Sequence, residues 1–306
     1  MQWSRAALDS IRASSEMWFF SMAATPSLPI QEPETQSIMS DPSAGKPVRG
    51  KNKAISPSRQ FVIDLLHFAK QVPTLPMQRT MDLHKVIEAR EAGFPRVSWC
   101  AIFLRAYGIL ASRHEELRTA YIPFPRPHFY IHPHSVASFS IERQYQGQPS
   151  VFFGQITEPE HRSLDSIDRT VRGLKDVPID EIPSFRSAML LSRIPAPFRR
   201  WVWWLGLCTD GMAKAHHFGT FGISVVASYG AASLTLLSPL TTTINYGVFQ
   251  PDGTIDVRLM YDHRAMDGAF VARRMVELEE ILRGLVTVEL HEIASLRENS
   301  ARWKAA

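Results

Sequence analysis

The chain has 306 residues, of which 45% are hydrophobic, so it is long enough to bury a large core. Lysine and arginine together number 34 and aspartate and glutamate 30, which gives a formal net charge of +4. This positive charge is too small and too evenly spread to predict nucleic-acid binding.

The first 52 residues have the composition of a disordered tail. Residues 25–53 are rich in Pro, Ser, Gln, Glu and Lys and contain few large apolar side chains. Such a segment buries too little apolar surface to offset the entropy of ordering it. The apolar run at residues 17–20 is too short for a good signal peptide. We therefore expect an unstructured tail over residues 1–52 and one folded domain over residues 53–296.

The folded part is predicted to begin with a helix at Ser56 and Pro57. A serine caps the first turn of a helix, and a proline fits its first position. Apolar residues then follow on one helical face, namely Phe61, Leu65 and Phe68. Two prolines, Pro73 and Pro76, are predicted to end this element.

The middle of the chain alternates between predicted helices and strands. A short strand is expected over residues 77–81, followed by a helix that Asp82 caps. Residues 97–112 are mostly apolar and predict a helix that is buried on more than one side. The other elements expected here are strands within residues 129–141 and over residues 151–156, and a helix capped by Ser163.

The clearest local pattern is a β-hairpin near the C-terminus. Apolar residues alternate along one strand, a Pro-Asp-Gly sequence at residues 251–253 makes the turn, and apolar residues alternate back. The alternating residues are Ile244, Tyr246 and Val248, then Ile255, Val257, Leu259 and Tyr261. A helix is predicted from Gly268, and a frayed polar tail over residues 297–306. This order of elements predicts an α/β fold of the α+β sandwich type.

His263 lies where the last predicted strand ends and the last long helix begins. Rigid elements on both sides suit a general base, and a histidine ordinarily titrates close to neutrality. Asp267 could orient a neighbouring cation or cap the helix, and Gly268 lets the backbone turn tightly into it. On its own, however, a single histidine is more often an ordinary polar residue at a strand end.

The surrounding residues favour the catalytic interpretation. The segment Asp-His-Arg-Ala-Met-Asp-Gly at residues 262–268 resembles the catalytic signature of the acyltransferase component of 2-oxo acid dehydrogenase complexes. The segment Phe-Gly-Thr-Phe-Gly-Ile-Ser at residues 218–224 is similar to a strand of the same family. The similarity runs over about residues 56–290 and is weakest over residues 176–216. It implies a chloramphenicol acetyltransferase-like fold, with a mixed sheet flanked by helices, and an acyltransferase catalytic domain.

The resemblance also implies the reaction. It implies a coenzyme-A-dependent acyltransferase that moves an acyl group between a coenzyme A thioester and a thiol, hydroxyl or amine acceptor. His263 is then the general base, and Ser224 hydrogen-bonds the oxyanion, with Ser228 as the alternative if the strand register differs. Val225 stands where the family usually has Asn or Ser, which leaves the acceptor open.

The same resemblance adds Asp267 to the catalytic residues and gives supporting roles to three others. Asp267 is implied to pair with an arginine of the first helix, for which Arg59 is the best candidate. The alternative for Arg59 is a surface position on that helix. Thr220 and Gly268 belong to the two matching segments and support the site.

The family builds its active site between neighbouring subunits of a trimer, so the resemblance implies a homotrimer. Coenzyme A is expected as a substrate and no metal is expected, since His216 and His217 have no third ligand close in sequence. We see no lipoyl-lysine motif and no peripheral-subunit-binding domain, and therefore expect a stand-alone catalytic core. The alternative is a catalytically inactive trimeric scaffold, or a module of the same fold that binds acyl chains or a membrane surface.

The segment 194–207 contains Trp201, Trp203 and Trp204 beside two arginines. Basic residues beside tryptophans are typical of a membrane interface or of contact with an acyl chain. We favour a helix packed on the domain or on a neighbouring subunit, because large apolar runs are more often buried.

The two cysteines, Cys100 and Cys208, both lie in apolar runs. They form no Cys-x-x-Cys pair, so neither a zinc site nor a redox pair is predicted. They are instead typical of reduced core residues in a cytoplasmic protein. No apolar run is long enough to span a bilayer.

Overall fold

The computed structural model describes residues 49–305, without the side chains of Ser228 and of residues 300–305. The tail predicted over residues 1–52 therefore lies almost entirely outside the described residues, as does the side chain of Ser228.

The helices are α1 (Pro57–Ala69), α2 (His84–Glu91), α3 (Trp99–Arg113), α4 (Leu164–Asp176), α5 (Pro183–Leu191), α6 (Ala196–Cys208), α7 (Gly211–Phe218), α8 (Gly268–Ile281) and α9 (Thr287–Ala305). Serine side chains cap three of them, as the sequence predicts for two: Ser56 accepts from Arg59 N, Ser98 from Ala101 N, and Ser163 from Ser166 N. Each cap satisfies a backbone N–H that has no partner within its helix.

The strands are β1 (Thr74–Asp82), β2 (Thr119–Ile122), β3 (His128–Ile131), β4 (Val136–Tyr145), β5 (Gln148–Thr157), β6 (Phe221–Ile223), β7 (Thr242–Tyr246) and β8 (Thr254–Asp262). Six of them form one sheet in the order β1-β8-β7-β6-β4-β5, while β2 and β3 pair separately. The strand β6 is parallel to both β4 and β7, and the other pairs are antiparallel. The sheet is therefore mixed, as predicted.

The predicted C-terminal hairpin is confirmed. Strands β7 and β8 pair antiparallel, with Ile244 opposite Leu259 and Tyr246 opposite Val257. Val248 lies beyond the end of β7 and is exposed, because the pairing stops at Tyr246. The apolar stripe of α8 is buried as the spacing predicts: Val271, Met275 and Leu278 are each at most 1% exposed.

Helix α3 lies at the centre of the core. Its residues 101–104 and 106–111 are all buried, so this helix is enclosed on several sides as expected. It is fixed to the sheet by two aromatic side chains. The Tyr107 hydroxyl donates to Thr242 Oγ1 at 2.8 Å, and the Phe103 ring stacks on Tyr246 with ring centroids 4.4 Å apart. The position of β7 is therefore set by the most buried helix of the domain.

Two predicted boundaries are wrong. The first strand begins at Thr74 and contains Pro76, because β1 is an edge strand, where a residue without an N–H is tolerated. The predicted polar tail is helical up to Ala305. The side chain of Arg297 donates to Asp165 Oδ1 at 2.6 Å and to the carbonyl oxygen of Pro95, so the helix α9 still contacts the domain at residue 297.

Helix α6 carries the tryptophans, and they have different surroundings. Trp203 is 2% exposed and stacks on Phe68 of α1 with centroids 6.0 Å apart, whereas Trp201 is 60% exposed. Trp204 is half-buried and contacts the Phe124 ring. The predicted packing on the domain is therefore confirmed for one face of the helix only. No helix in the described part of the chain is both long and apolar enough to cross a membrane.

Candidate active site

His263 follows directly on the last residue of β8, where its backbone N–H donates to Pro73 O at 3.2 Å. Its side-chain Nδ1 lies 3.0 Å from the carbonyl oxygen of Met266. Because a carbonyl oxygen can only accept, this bond fixes the proton on Nδ1 and leaves Nε2 as the nitrogen with a free lone pair. The side chain is 47% exposed. His263 therefore has the tautomer and the access that a general base needs.

Asp267 occupies the N-cap position of α8, but its side chain makes no capping hydrogen bond. The carboxylate is 89% exposed, and its Oδ1 lies 3.9 Å from His263 Nδ1. Arg59 is exposed on α1 and forms no ion pair with any described residue, so the expected pair with Asp267 is absent within one chain.

Gly268 is the first residue of α8, and its backbone is not in the left-handed conformation. The tight turn expected there therefore does not explain why this position is a glycine. A side chain at this position would meet the Tyr261 hydroxyl, since a Cβ atom would lie 3.3 Å from it. The Tyr261 ring in turn contacts the His263 ring edge-on, with centroids 5.9 Å apart. Gly268 therefore leaves room for the aromatic ring that supports the histidine.

Ser224 lies just beyond the end of β6. Its backbone N–H donates to Ile244 O at 3.1 Å, and its carbonyl accepts from Asn245 Nδ2 at 2.7 Å. The Ser140 hydroxyl donates to Ser224 Oγ at 3.0 Å, which leaves the proton of Ser224 free to donate. The side chain lines a cavity of about 130 Å³. These contacts fix the serine on both sides and direct its hydroxyl to a space that a small group can enter.

The same cavity contains a hydroxyl that the sequence analysis missed. Thr243 lines it, and Thr243 Oγ1 is buried without a hydrogen-bond partner among the described residues. Buried polar groups are nearly always satisfied, so an unpaired hydroxyl in a cavity indicates a place for a ligand oxygen. Thr220, by contrast, is used within the fold: its Oγ1 accepts from Val136 N at 3.0 Å and does not line this cavity.

His263 and Ser224 are well separated within one chain. Ser224 N is bonded to Ile244 O and Asp262 N to Thr241 O, with β7 lying between the two residues. Extending the pairing of Ile223 with Ile244 and of Tyr261 with Thr242 places Ser224 opposite Asn245 and His263 opposite Leu240. Five residues along a strand and two strand spacings correspond to about 19 Å. His263 also does not line the cavity that contains Ser224. One carbonyl group cannot touch both side chains of the same chain.

The two residues on either side of His263 form an ion pair with each other. Arg264 clamps Asp262 with two hydrogen bonds, Nε to Oδ1 at 2.9 Å and Nη2 to Oδ2 at 2.7 Å. The guanidinium also lies over the Tyr121 ring, 4.2 Å from its centroid. Lys214 is 6% exposed nearby, and burial lowers its pKa to about 8, although the negative charge of Asp262 acts in the opposite direction. This cluster fixes the loop from which the imidazole projects.

The remaining candidate ligands do not form a metal site. No group of three His, Cys, Asp or Glu side chains with metal-binding geometry occurs among residues 49–305 for which side chains are described. Burial, and to a lesser degree the neighbouring His216, lowers the pKa of His217, so its imidazole is neutral at pH 7. Burial raises the pKa of both Cys100 and Cys208, which keeps these thiols protonated.

No protein-family model and no curated protein matches the chain. Solved structures do. The dihydrolipoamide acetyltransferase of Azotobacter vinelandii is 16% identical, with a TM-score of 0.58 over 86% of this chain and 98% of that one. The chain has the fold of an acyltransferase catalytic core. This confirms the predicted architecture, a mixed sheet flanked by helices.

Two further structures agree with that assignment. A truncated catalytic core of the 2-oxoacid dehydrogenase multienzyme complex from Thermoplasma acidophilum is 15% identical, with a TM-score of 0.56 over 77% of this chain and 99% of that one. A probable dihydrolipoamide acetyltransferase from Listeria monocytogenes is 15% identical, with a TM-score of 0.54 over 76% of this chain and 94% of that one. No lipoyl domain occurs within the stretch that the structure describes.

Proposed function

We propose that this protein is a coenzyme-A-dependent acyltransferase in which His263 is the general base and Ser224 stabilises the oxyanion. The observation that carries the proposal is the bond from His263 Nδ1–H to Met266 O, because it leaves Nε2 free to take a proton. The fold shared with acyltransferase cores supplies the reaction class. The free proton on Ser224 supplies the oxyanion donor.

The chemical step follows from these two groups. His263 Nε2 takes the proton of the acceptor thiol, and the resulting thiolate attacks the carbonyl carbon of the thioester. The carbonyl oxygen gains the negative charge, and Ser224 Oγ–H donates to it. The C–S bond to coenzyme A then breaks, and the departing thiolate receives the proton from His263. The step needs no covalent bond to the enzyme, since both substrates are held together.

A known relative supports these roles. In the Azotobacter vinelandii enzyme, a serine, a histidine and an asparagine four residues after the histidine were investigated for their role in catalysis. This chain has Ser224, His263 and Asp267 in the corresponding pattern. The Oδ1 atom of Asp267 lies 3.9 Å from His263 Nδ1.

The separation of about 19 Å between Ser224 and His263 supports a site completed by a second copy of the chain. A symmetric oligomer can bring His263 of one subunit to Ser224 of the next. Such an interface would also cover the exposed His263 side chain. We therefore propose a homotrimer, as the resemblance of the sequence implies.

The test is release of free coenzyme A from a panel of acyl-coenzyme-A thioesters, with dithiols, alcohols and amines as acceptors. We expect His263→Ala to lower kcat about 10²- to 10⁴-fold, the usual contribution of a general base. His291→Ala is the matched control, because His291 is exposed on α9 and should leave turnover unchanged. Equal turnover by wild type and His263→Ala would refute the assignment of the base.

The alternative is a catalytically inactive trimeric scaffold of the same fold. The exposure of Asp267 and the absence of an Arg59 partner within one chain favour it. This alternative predicts no turnover with any thioester and acceptor, and no effect of His263→Ala on assembly.

A further inference from the structure

A second and much larger cavity lies beneath helices α5, α6 and α7. Its volume is about 830 Å³, within the range of cavities that hold whole ligands. Apolar and aromatic side chains form most of its wall, among them Phe152, Phe185, Met189, Val202, Trp203 and Leu205. Most of the wall therefore comes from residues 183–218, which overlap the segment where the sequence resembles acyltransferases least.

The large cavity adjoins the cavity that contains Ser224. Four residues line both, namely Phe61, Phe153, His217 and Phe218. A group bound with its carbonyl at Ser224 can therefore extend past this aromatic junction into the larger space. The polar hydroxyls of Ser224 and Thr243 lie at one end of the path, and apolar side chains line the other.

The described wall of the large cavity contains no carboxylate that is free to pair with a ligand. Asp210 is its only carboxylate, and both of its oxygens are engaged in capping α7, where they accept from Met212 N at 3.0 Å and Ala213 N at 3.2 Å. His217 is neutral at pH 7, as described above. The other polar lining residues are fewer than the apolar ones, so an apolar ligand would bury most of its surface here. They are Gln155, Ser184, Ser187, Thr209 and His216.

We infer that the transferred acyl group is a large apolar one, a medium or long alkyl chain whose thioester carbonyl lies at Ser224 and whose tail fills the large cavity. This inference rests on the proposed function. An acetyl group would occupy only the small cavity and leave the larger one without a role. Each buried methylene of a longer chain raises affinity about fourfold.

The test uses S-alkyl thioethers of coenzyme A, which bind like thioesters but carry no transferable acyl group. Titration calorimetry with ethyl, octyl and tetradecyl thioethers should give an affinity that rises steeply with chain length. Gly206→Phe should then weaken tetradecyl binding at least about tenfold and leave ethyl binding unchanged. Gly206 lines the large cavity, and a Cβ there would meet only the rings of Phe218 and His217, at 3.6 and 3.9 Å.

Gly173→Phe is the matched control, because a Cβ at this helical glycine meets nothing within 4 Å and the residue lines neither cavity. If Gly206→Phe fails to fold, Ala213→Leu fills the same space from α7. An affinity that does not depend on chain length would overturn the inference and leave the acyltransferase proposal intact.

Free tetradecanoate separates the two claims, since it lacks coenzyme A. Binding of tetradecanoate that Gly206→Phe abolishes, together with no turnover of any thioester, would support the apolar cavity and refute the proposed function. Turnover of acetyl-coenzyme A with no binding of tetradecanoate or of the tetradecyl thioether would support the proposed function and refute the apolar acyl site.

Discussion

The His263 imidazole and the Ser224 hydroxyl are each oriented by one side-chain hydrogen bond. These bonds leave Nε2 of the histidine and the hydroxyl proton of the serine free. Met266 O accepts a hydrogen bond from His263 Nδ1–H, and the Ser140 hydroxyl donates to Ser224 Oγ. In both cases the group that orients the side chain lies within the same chain. The candidate catalytic groups are thus pre-oriented before any substrate binds, which lowers the reorganisation needed during the reaction.

Lys214 provides a prediction about pH. Burial lowers the pKa of Lys214 to about 8, below its ordinary value of 10.5. Between these values the unfolded chain binds more protons than the folded chain, so this group makes stability rise with pH across that window. Replacement by methionine removes the effect and should stabilise the fold below pH 8, by on the order of 3 kcal/mol.

Urea unfolding of wild type and Lys214→Met at about pH 7 and about pH 10 measures this difference at one protein concentration. Comparing the two proteins at each pH cancels the titration of all other groups. The advantage of Lys214→Met should shrink toward the higher pH. A difference in the free energy of unfolding that stays constant with pH would show that Lys214 is protonated in the folded protein.

Functional residues that belong to a sequence motif could be predicted, whereas residues whose role depends on how they are packed could not. The motif segments identified His263 and Ser224 as candidates. The role of a histidine as general base is also supported by the ordinary pKa of this residue type, which lies near neutrality. Thr243 and Lys214 carry no such signal, because burial is what distinguishes them: Thr243 Oγ1 is buried without a described partner, and Lys214 is 6% exposed. A run of three threonines at residues 241–243 is the only hint, and it equally fits an ordinary strand.

At the scale of elements, helix α6 joins the first helix of the domain through one face. Trp203 packs between Phe68 and the Phe61 ring, whose centroid is 5.1 Å away. The Arg199 guanidinium is buried against the Asp64 carboxylate, which is fully buried on α1. An apolar and an ionic contact thus fix the same pair of helices, and with them one wall of the large cavity.

This arrangement predicts a large loss of stability on replacing Trp203 and almost none on replacing Trp201. Trp203→Ala should lower the free energy of unfolding by about 3–5 kcal/mol, because it leaves a cavity among aromatic rings. Trp201→Ala is the matched control on the same helix, and because Trp201 is 60% exposed the change should stay within about 0.5 kcal/mol. Thermal and urea unfolding of the two variants measure both values. Similar losses would mean that Trp201 is also buried, for example against another subunit.

The long, regular elements could be predicted, whereas the short helices around the large cavity could not. Strands β7 and β8 and helices α3, α4 and α8 follow simple alternation or helical spacing. Helices α5 and α7 have nine and eight residues and enclose a cavity, so their apolar residues do not form one stripe toward a core. The strand β6 has three residues, too few for any periodic signal, and only the family resemblance indicated it.

At the scale of the whole molecule, the two candidate catalytic residues lie at opposite ends of the strand β7. Ser224 follows β6 and His263 follows β8, with β7 between them. The sequence motifs identify both residues but contain no information on their distance. Only the register of the sheet reveals that one chain cannot use both at once. The proposed trimer resolves this by supplying the second residue from a neighbouring subunit.

Mixing two inactive variants tests the shared site directly. In His263→Ala the serine is intact, and in Ser224→Ala the histidine is intact, so a mixed cyclic trimer has one interface where both wild-type residues meet. After co-refolding at equal amounts, random assembly should restore about a quarter of wild-type turnover, since about three quarters of the trimers are mixed and each has one intact site of three. Light scattering should show a trimer for each variant alone. A site within a single chain would give no recovery, and a monomer in light scattering would likewise exclude a shared site.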